Sequence, residues 1–357
     1  MSGSPAISVI MVTYNCAKYL PLAIGSILDQ DFRDLELIVL DNASTDETPE
    51  LLRAIQDPRL RIERSESNGG PPAANGVMPL ARGKYIARLD ADDIALPGRL
   101  RRQYEYLEAH PEVGLCGTDY DMIDQSGAKC GVNRDVHDPE IICWKLGWIN
   151  FIGHSTVMMR RDLFQEIGGY DETHWCAEDY DLISRFSRQV KVGVLAESLV
   201  QYRVHPTSIT FQREQEMRRM SLLVSKRHLE HFLGEPLDEE TALAAIEVMR
   251  HRAVTKPVRW NEVLRLIVRY TVAQARRISP AGAAIVRSAT AKQLLEYARD
   301  HCGGDWALRW KFEKLVIGMD SRVFIDRISA ALARLGRRFG LGALFQHNAA
   351  SLPLGAP

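Results

Sequence analysis

Over its first 110 residues the chain repeats one pattern: a short apolar run, a polar end, then a stretch with helical spacing. Ile7 to Thr13 (ISVIMVT) is a run rich in β-branched residues, as expected of a strand buried on both faces. Ala17 to Gln30 then places Leu20, Ile24, Ile27 and Leu28 at helical spacing. Leu35 to Leu40 (LELIVL) is a second strand, followed by N-cap candidates Ser44, Thr45 and Asp46 and a helix that tolerates Pro49 in its first turn. Arg59 to Ser65 is a third strand, Pro71 to Ala81 a helix, and Lys84 to Leu89 a fourth strand. Repeated strand–helix–strand units imply a largely parallel sheet with right-handed crossovers, hence an α/β fold. Ligands of such sheets bind beyond the carboxyl ends of the strands. Here those ends read Thr13-Tyr14-Asn15, Asp41-Asn42 and Asp90 to Asp93. A solvated turn explains one acidic end, but not three polar ends converging on one crevice.

The densest of these ends is RLDADD, with Asp90, Asp92 and Asp93 in four positions. Like charges so close repel, and a divalent cation with a preference for hard oxygen ligands would resolve the conflict. The competing reading is an acidic turn that caps the helix entered at Pro97, with Asp93 as the cap. Phosphate-cradling glycine loops are excluded. TYNCAK stands where a dinucleotide fold needs GxGxxG, and the Gly83-Lys84 pair lacks the remainder of a Walker loop. A metal held by carboxylate is the remaining economical way to neutralise a diphosphate.

From about Gly114 to Arg203 strands (VGLCGTDYDMID, HSTVMMRR, KVGVLAESLVQYRVH) mix with short helices. From Gln212 onward helix prevails, broken at 234–236, 279–280 and 301–305, and SLPLGAP at the end is expected to fray. The net charge of −1 points to no nucleic-acid partner, yet it hides an asymmetry. Residues 226–357 carry 21 Lys and Arg against 13 Asp and Glu, while residues 1–225 carry 24 against 33. An acidic front and a basic back suggest different partners. Six scattered cysteines without CxxC spacing fit reduced thiols of a cytoplasmic protein. The N-terminus lacks a basic, cleavable leader, and no stretch approaches the roughly 18 apolar residues of a membrane span. The expected location is cytoplasmic, with peripheral contact at the inner face of the membrane as an option.

VIMVTYNCAKYLPLAIGSILDQDFRDLELIVLDNASTDET, followed by ARGKYIARLDADDIALPGRL, resembles the family-2 glycosyltransferases of GT-A fold. The resemblance continues through HSTVMMRRDLFQEIGGYDE, WCAEDYDLISRF and YRVHPTSIT, and so covers roughly residues 7–215. It implies a GT-A catalytic domain over 1–215, with nucleotide-sugar binding in about 1–110 and the acceptor side in about 111–215. A basic helical region would fill 216–357. In the family the first two strand ends hold the base. Tyr14 would stack on the ring, the backbone at Val12 and Thr13 would meet the uracil edge, and Asp41 would accept from the pyrimidine N3–H. Asn68, Gly69, Gly70 and Asn75 would flank the donor, with glycine permitting close backbone approach. Asp90-Ala91-Asp92 matches the family's DxD: Asp92 would bind Mn²⁺ or Mg²⁺, and Asp90 would contact the ribose or support the metal through water. Asp179, in the family's ED motif with Glu178 beside it, would be the base, its helix N-terminus favouring the ionised form. His205 would approach the metal or diphosphate, the alternative being a surface histidine before proline. His154 would line the acceptor site.

The resemblance thus implies inverting, metal-dependent transfer from a nucleotide-diphosphate sugar, UDP first and dTDP next, to a hydroxyl of a glycan or lipid-linked acceptor. Polysaccharide, lipopolysaccharide and glycolipid assembly are the expected settings. The rivals are a non-catalytic sugar-nucleotide binding module, which would lack a working base, and a nucleotidyltransferase, which would need a Gly- and Lys/Arg-rich first loop. Val263 to Arg277 and Val323 to Phe339 combine apolar stripes with arginines. They leave open a helical appendage packed on the catalytic domain, a peripheral membrane helix or a homodimer interface.

Overall fold

The computed structural model describes residues 4–320 and Val323. It divides into two compact units, residues 1–235 and 236–357. The first is built on a nine-stranded sheet. Strands β1 (Ile7–Thr13), β2 (Leu35–Asp41), β3 (Leu60–Arg64) and β4 (Tyr85–Arg88) are mutually parallel, in the order β3-β2-β1-β4. The sheet continues through β5 (Ile94–Ala95), β6 (Val113–Ile123), β7 (Lys129–Asn133), β8 (Met158–Arg160) and β9 (Lys191–Arg203). There β8 runs antiparallel to β4 and β6, while β6 and β9 pair in parallel. The helices of this unit are α1 (Leu20–Leu28), α2 (Thr48–Ala54), α3 (Arg99–Ala109), α4 (Pro139–Leu146), α5 (Arg161–Ile167), α6 (Glu178–Gln189), α7 (Ile209–Gln212) and α8 (Glu214–Leu233).

Strand alternation divides β1 between two cores. Val9 and Met11 pack with Ile24 and Ile27 of α1 and Leu100 of α3, whereas Ile10 faces Ile86, Met159 and the α6 residues Ile183 and Phe186. All of these are essentially buried, and each is worth about 1.5–3 kcal/mol of transfer free energy. The double-sided burial explains why β1 and β2 read as largely apolar runs, the buried Ser8 and Glu36 satisfying each other by a hydrogen bond.

Several expectations are corrected. Pro71 to Ala81 is not one α-helix but two 3₁₀ turns, Pro71–Gly76 and Met78–Leu80, because Pro79 removes an amide an α-helix would use. In HSTVMMRR, His154–Thr156 is a 3₁₀ turn and only Met158–Arg160 is strand. Asp93 does not cap the helix after Pro97: the N-cap of α3 is Gly98, in a left-handed conformation, with no side-chain cap. Asp93 is instead buried, its Oδ1 accepting the Arg203 amide at 2.7 Å.

The second unit contains α9 (Glu239–Met249), α10 (Trp260–Ala275), α11 (Pro280–His301) and α12 (Trp306–Met319). The break between α9 and α10, at 250–259, is additional to those expected; Pro257 and the left-handed His251 accompany it. The apolar stripe of Val263 to Arg277 is internal, burying Val263, Leu266, Ile267 and Tyr270. Apart from Val323 itself, the segment Val323 to Phe339 lies outside the described residues, as does SLPLGAP. Among the described residues no helix is long and apolar enough to cross a membrane.

Candidate active site

Beyond the carboxyl ends of the parallel strands lies a cleft of about 1560 Å³. Val12, Tyr14, Asn68, Asp90, Asp92, His154, Glu178, Asp179 and His205 all line it. Thr13 and Asp41 do not; they lie buried beneath the lining. Asp41 accepts the Ser44 amide at 2.9 Å and pairs with Arg64 at 2.9 Å, so its carboxylate is engaged inside the fold. Asn75 also stays off the cleft, exchanging two hydrogen bonds with the Tyr170 backbone.

At the end of β1 the chain turns through Asn15, which is left-handed (φ 48°), a conformation asparagine tolerates. The Asn15 amide donates to Ser44 Oγ at 3.0 Å and its Oδ1 accepts the Thr45 amide at 2.8 Å, so the first two strand ends are tied together. Tyr14, just before this turn, is half exposed at the cleft. At the end of β2, buried Asn42 donates to Asn68 Oδ1 and accepts from the Gly69 amide, which holds the 68–70 loop at the rim.

The acidic end of β4 is organised by β5, a two-residue strand that pairs with β9 through Ile94 and Gln201. This pairing delivers the chain after Tyr202 to the aspartates. Arg203 donates from Nε to the Asp92 carbonyl at 2.8 Å, and His205 Nε2 lies 2.9 Å from Asp92 Oδ2. His205 Nδ1 lies 2.8 Å from the Thr207 hydroxyl, which can donate or accept. The imidazole can therefore give its Nε2 proton to Asp92 or hold its proton at Nδ1 and present a bare Nε2 beside the carboxylate. A carboxylate oxygen and a free imidazole nitrogen, adjacent on the wall of a cleft, fit a small divalent cation that takes few protein ligands and keeps open positions.

Asp90 is held from below. Arg88, almost fully buried, donates to the Ile10 carbonyl at 2.9 Å, to Asp90 Oδ1 at 3.2 Å and from Nε to His154 Nε2 at 3.2 Å. Accepting there puts the His154 proton on Nδ1, 3.8 Å from Asp90 Oδ1. Burial, reinforced by the Arg88 charge, pulls the His154 pKa down to about 4, so the ring is neutral. Its Nε2 also meets the Tyr170 hydroxyl at 2.8 Å. His154 thus belongs to the floor beneath Asp90.

Across the cleft, α6 starts with Glu178 and Asp179. Asp179 Oδ1 accepts the Tyr180 amide at 2.7 Å and Oδ2 accepts from Asn150 Nδ2 at 3.1 Å. These bonds favour the carboxylate, but burial outweighs them and the facing Asp90 charge adds to it, lifting the Asp179 pKa to about 6. The helix start therefore does not prevail in setting this group's acidity. Glu178, buried beside it, is pushed well above the ordinary carboxylate range by the same desolvation and by Asp179. Asp181 is buried but keeps its cation, Arg185, at 2.7 Å. A side chain with a pKa near 6 is suited to take a proton near neutrality.

Sequence reading missed four contributors: Arg88, Asn150, Trp175 and Arg213. Arg88 disrupts an apolar strand, which is the one signal that marked it. Trp175 lines the cleft with its indole N–H bonded to Glu216 at 3.0 Å and the Arg213 guanidinium 5.2 Å from its ring. Among the described residues, Asp171, His174 and Asp181 bring three ligand-type atoms within 4.8 Å. Arg185 on Asp181 and Arg227, 2.9 Å from His174 Nε2, already supply that cluster with positive charge, so it does not fit a cation.

The model of the family described as Glycosyl transferase family 2 matches residues 8–168. An uncharacterized glycosyltransferase of Methanocaldococcus jannaschii is 32% identical over 234 residues, covering 63% of this chain and 79% of the relative. The O-antigen biosynthesis glycosyltransferase WbnJ of Escherichia coli is 30% identical over 212 residues, covering 57% and 81%. Among solved structures, S. aureus TarS 1–349 in complex with UDP-GlcNAc is similar in fold, with a TM-score of 0.52 at 17% identity over 82% of this chain and 88% of that one.

Proposed function

The chain belongs to glycosyl transferase family 2, and from that premise we propose that it transfers a sugar from a nucleotide-diphosphate donor, UDP-sugar first, to an acceptor hydroxyl with inversion. The reading rests above all on one observation: Asp179, with its pKa near 6, shares a cleft with the Asp92–His205 pair. The nucleotide enters over Tyr14, whose exposed ring offers a stacking face. Asp41 reads the pyrimidine N3–H only if it leaves Arg64 or uses its second lone pairs, so Val12, Tyr14 and the Asn68 loop carry the first contacts with the donor. Asp92 and His205 would hold a divalent cation, Mn²⁺ or Mg²⁺, whose chemistry there would be to offset negative charge on the diphosphate.

Asp179 accepts the proton of the acceptor hydroxyl as that oxygen bonds to the anomeric carbon. The bond from the anomeric carbon to the phosphate oxygen breaks on the opposite face, and an α-linked donor gives a β-glycoside. Asn150 holds the carboxylate in place. Burial disfavours ionisation of Glu178 beside it, so the proton-accepting role is assigned to Asp179. Trp175, which lines the cleft just before the start of α6, is offered as an acceptor contact, while His154 supports Asp90 from below. The E. coli relative's part in O-antigen biosynthesis supports a glycan or lipid-linked acceptor in polysaccharide or lipopolysaccharide assembly. The UDP-GlcNAc bound by TarS belongs to the donor class proposed here.

The test is nucleotide release from UDP-, dTDP- and GDP-sugars, with and without Mn²⁺. Metal-dependent release from one donor is expected. If the folded protein bound no nucleotide sugar, the reading would fail; binding without release, even with acceptor supplied, would favour a binding module.

A further inference from the structure

Helix α12 of the second unit exposes an unusual face. Trp306 is 78% exposed, Trp310 52% and Ile317 40%, whereas Phe312 and Val316 on the same helix are fully buried. At 100° per residue, positions 306, 310 and 317 fall within about 40° of one another, so the three side chains form one stripe. Tryptophan is costly to leave in water in this way, and a contiguous exposed stripe marks a surface that meets something else. Exposed Lys314 borders the stripe and exposed Lys311 lies further round on the same side, and among the described residues no carboxylate pairs with either. Arg309 is already paired with Glu313 at 3.0 Å. The sequence just downstream adds Arg322, Arg327, Arg334, Arg337 and Arg338 against Asp320 and Asp326.

We propose that the Trp306–Trp310–Ile317 face of α12 docks on the surface of an anionic lipid bilayer. Tryptophan prefers the boundary between headgroups and acyl chains, where its ring is buried and its N–H stays hydrated. Lysines at the edge of such a stripe meet anionic headgroups, while their stems lie along the apolar surface. The helix is too short and too charged to span, so it lies in the plane of the interface. A second copy of the chain would bring Lys311 and Lys314 toward like charges; an anionic surface offers them counter-charge. This inference is independent of the sugar-transfer reading.

The experiment is co-sedimentation of the full chain with vesicles of phosphatidylcholine alone, and of phosphatidylcholine mixed equally with phosphatidylglycerol. The wild type is expected to bind the anionic vesicles and to bind the neutral ones at least about tenfold more weakly. Trp306→Ser with Trp310→Ser should lose about tenfold or more in binding, and Lys311→Gln with Lys314→Gln about fivefold per lysine on anionic vesicles only. Circular dichroism checks that both variants remain folded. Absence of vesicle binding, or binding indifferent to the tryptophans, would overturn the proposal. So would a lipid-free dimer by light scattering that the tryptophan variant dissociates.

Discussion

The chain carries two acidic clusters, each of three carboxylates within four positions: Asp90, Asp92 and Asp93 after β4, and Glu178, Asp179 and Asp181 at the start of α6. In each, one carboxylate keeps an arginine: Asp90 has Arg88 and Asp181 has Arg185. In each, one is buried with its pKa driven upward, Asp93 and Glu178. The third faces the cleft, and there the clusters diverge. Asp92 meets an imidazole, His205, whereas Asp179 meets a neutral amide, Asn150. A carboxylate beside an imidazole is furnished to hold a positive charge; a desolvated one that meets only neutral amides is furnished to hold a proton. Three carboxylates within four positions are therefore shared, and the neighbouring side chain decides the chemistry.

That contrast can be broken in order of effect. Asp179→Asn should lower kcat by about 10²- to 10⁴-fold, the usual contribution of a positioned base, measured by nucleotide release at saturating donor and acceptor. His205→Asn should weaken Mn²⁺ activation by about 10- to 100-fold and leave the metal-saturated pH profile in place; an unchanged metal titration would separate His205 from the cation.

Protonation sharpens the comparison further. With Asp179 near 6, kcat/KM should fall as the pH drops through about 6. Because the Asn150 bond favours the carboxylate, Asn150→Ala should move that limb upward by about half a unit to one unit. A limb that stayed in place would show that Asn150 does not govern the group. The smallest effect concerns stability. Since burial raises the folded pKa of Asp179, its protonated form is the one the fold prefers. The resulting stabilisation is full below the unfolded value and is lost as the pH rises toward and past about 6. Asp179→Asn should therefore be more stable than wild type by about 1–3 kcal/mol at pH 7, with the gain vanishing near pH 4, as read from denaturant midpoints.

Much of the fold was legible because its strands are buried on both faces. β1 occupies the expected Ile7 to Thr13, and β2 extends the expected run by one residue, to Asp41. The strand-end rule led to Tyr14, Asp90 and Asp92 on one crevice, and they line one cleft. What stayed hidden depends on partners distant in sequence. Two residues of β5 carry no period of their own, yet they bring His205 beside Asp92. Asn150 lies in an irregular segment 29 positions from Asp179. Asp41 and Asp93 look like surface turn residues in the sequence, and only the packing of Arg64 and the Arg203 amide takes them inside.

The most direct test of this division of labour is a calorimetric titration of the donor sugar into wild type, Asp92→Asn and Asp179→Asn, each with and without Mn²⁺. The account predicts that Asp179→Asn binds as wild type does, while Asp92→Asn loses the metal-dependent part of its affinity. Metal-dependent binding that survived in Asp92→Asn and vanished in Asp179→Asn would contradict it.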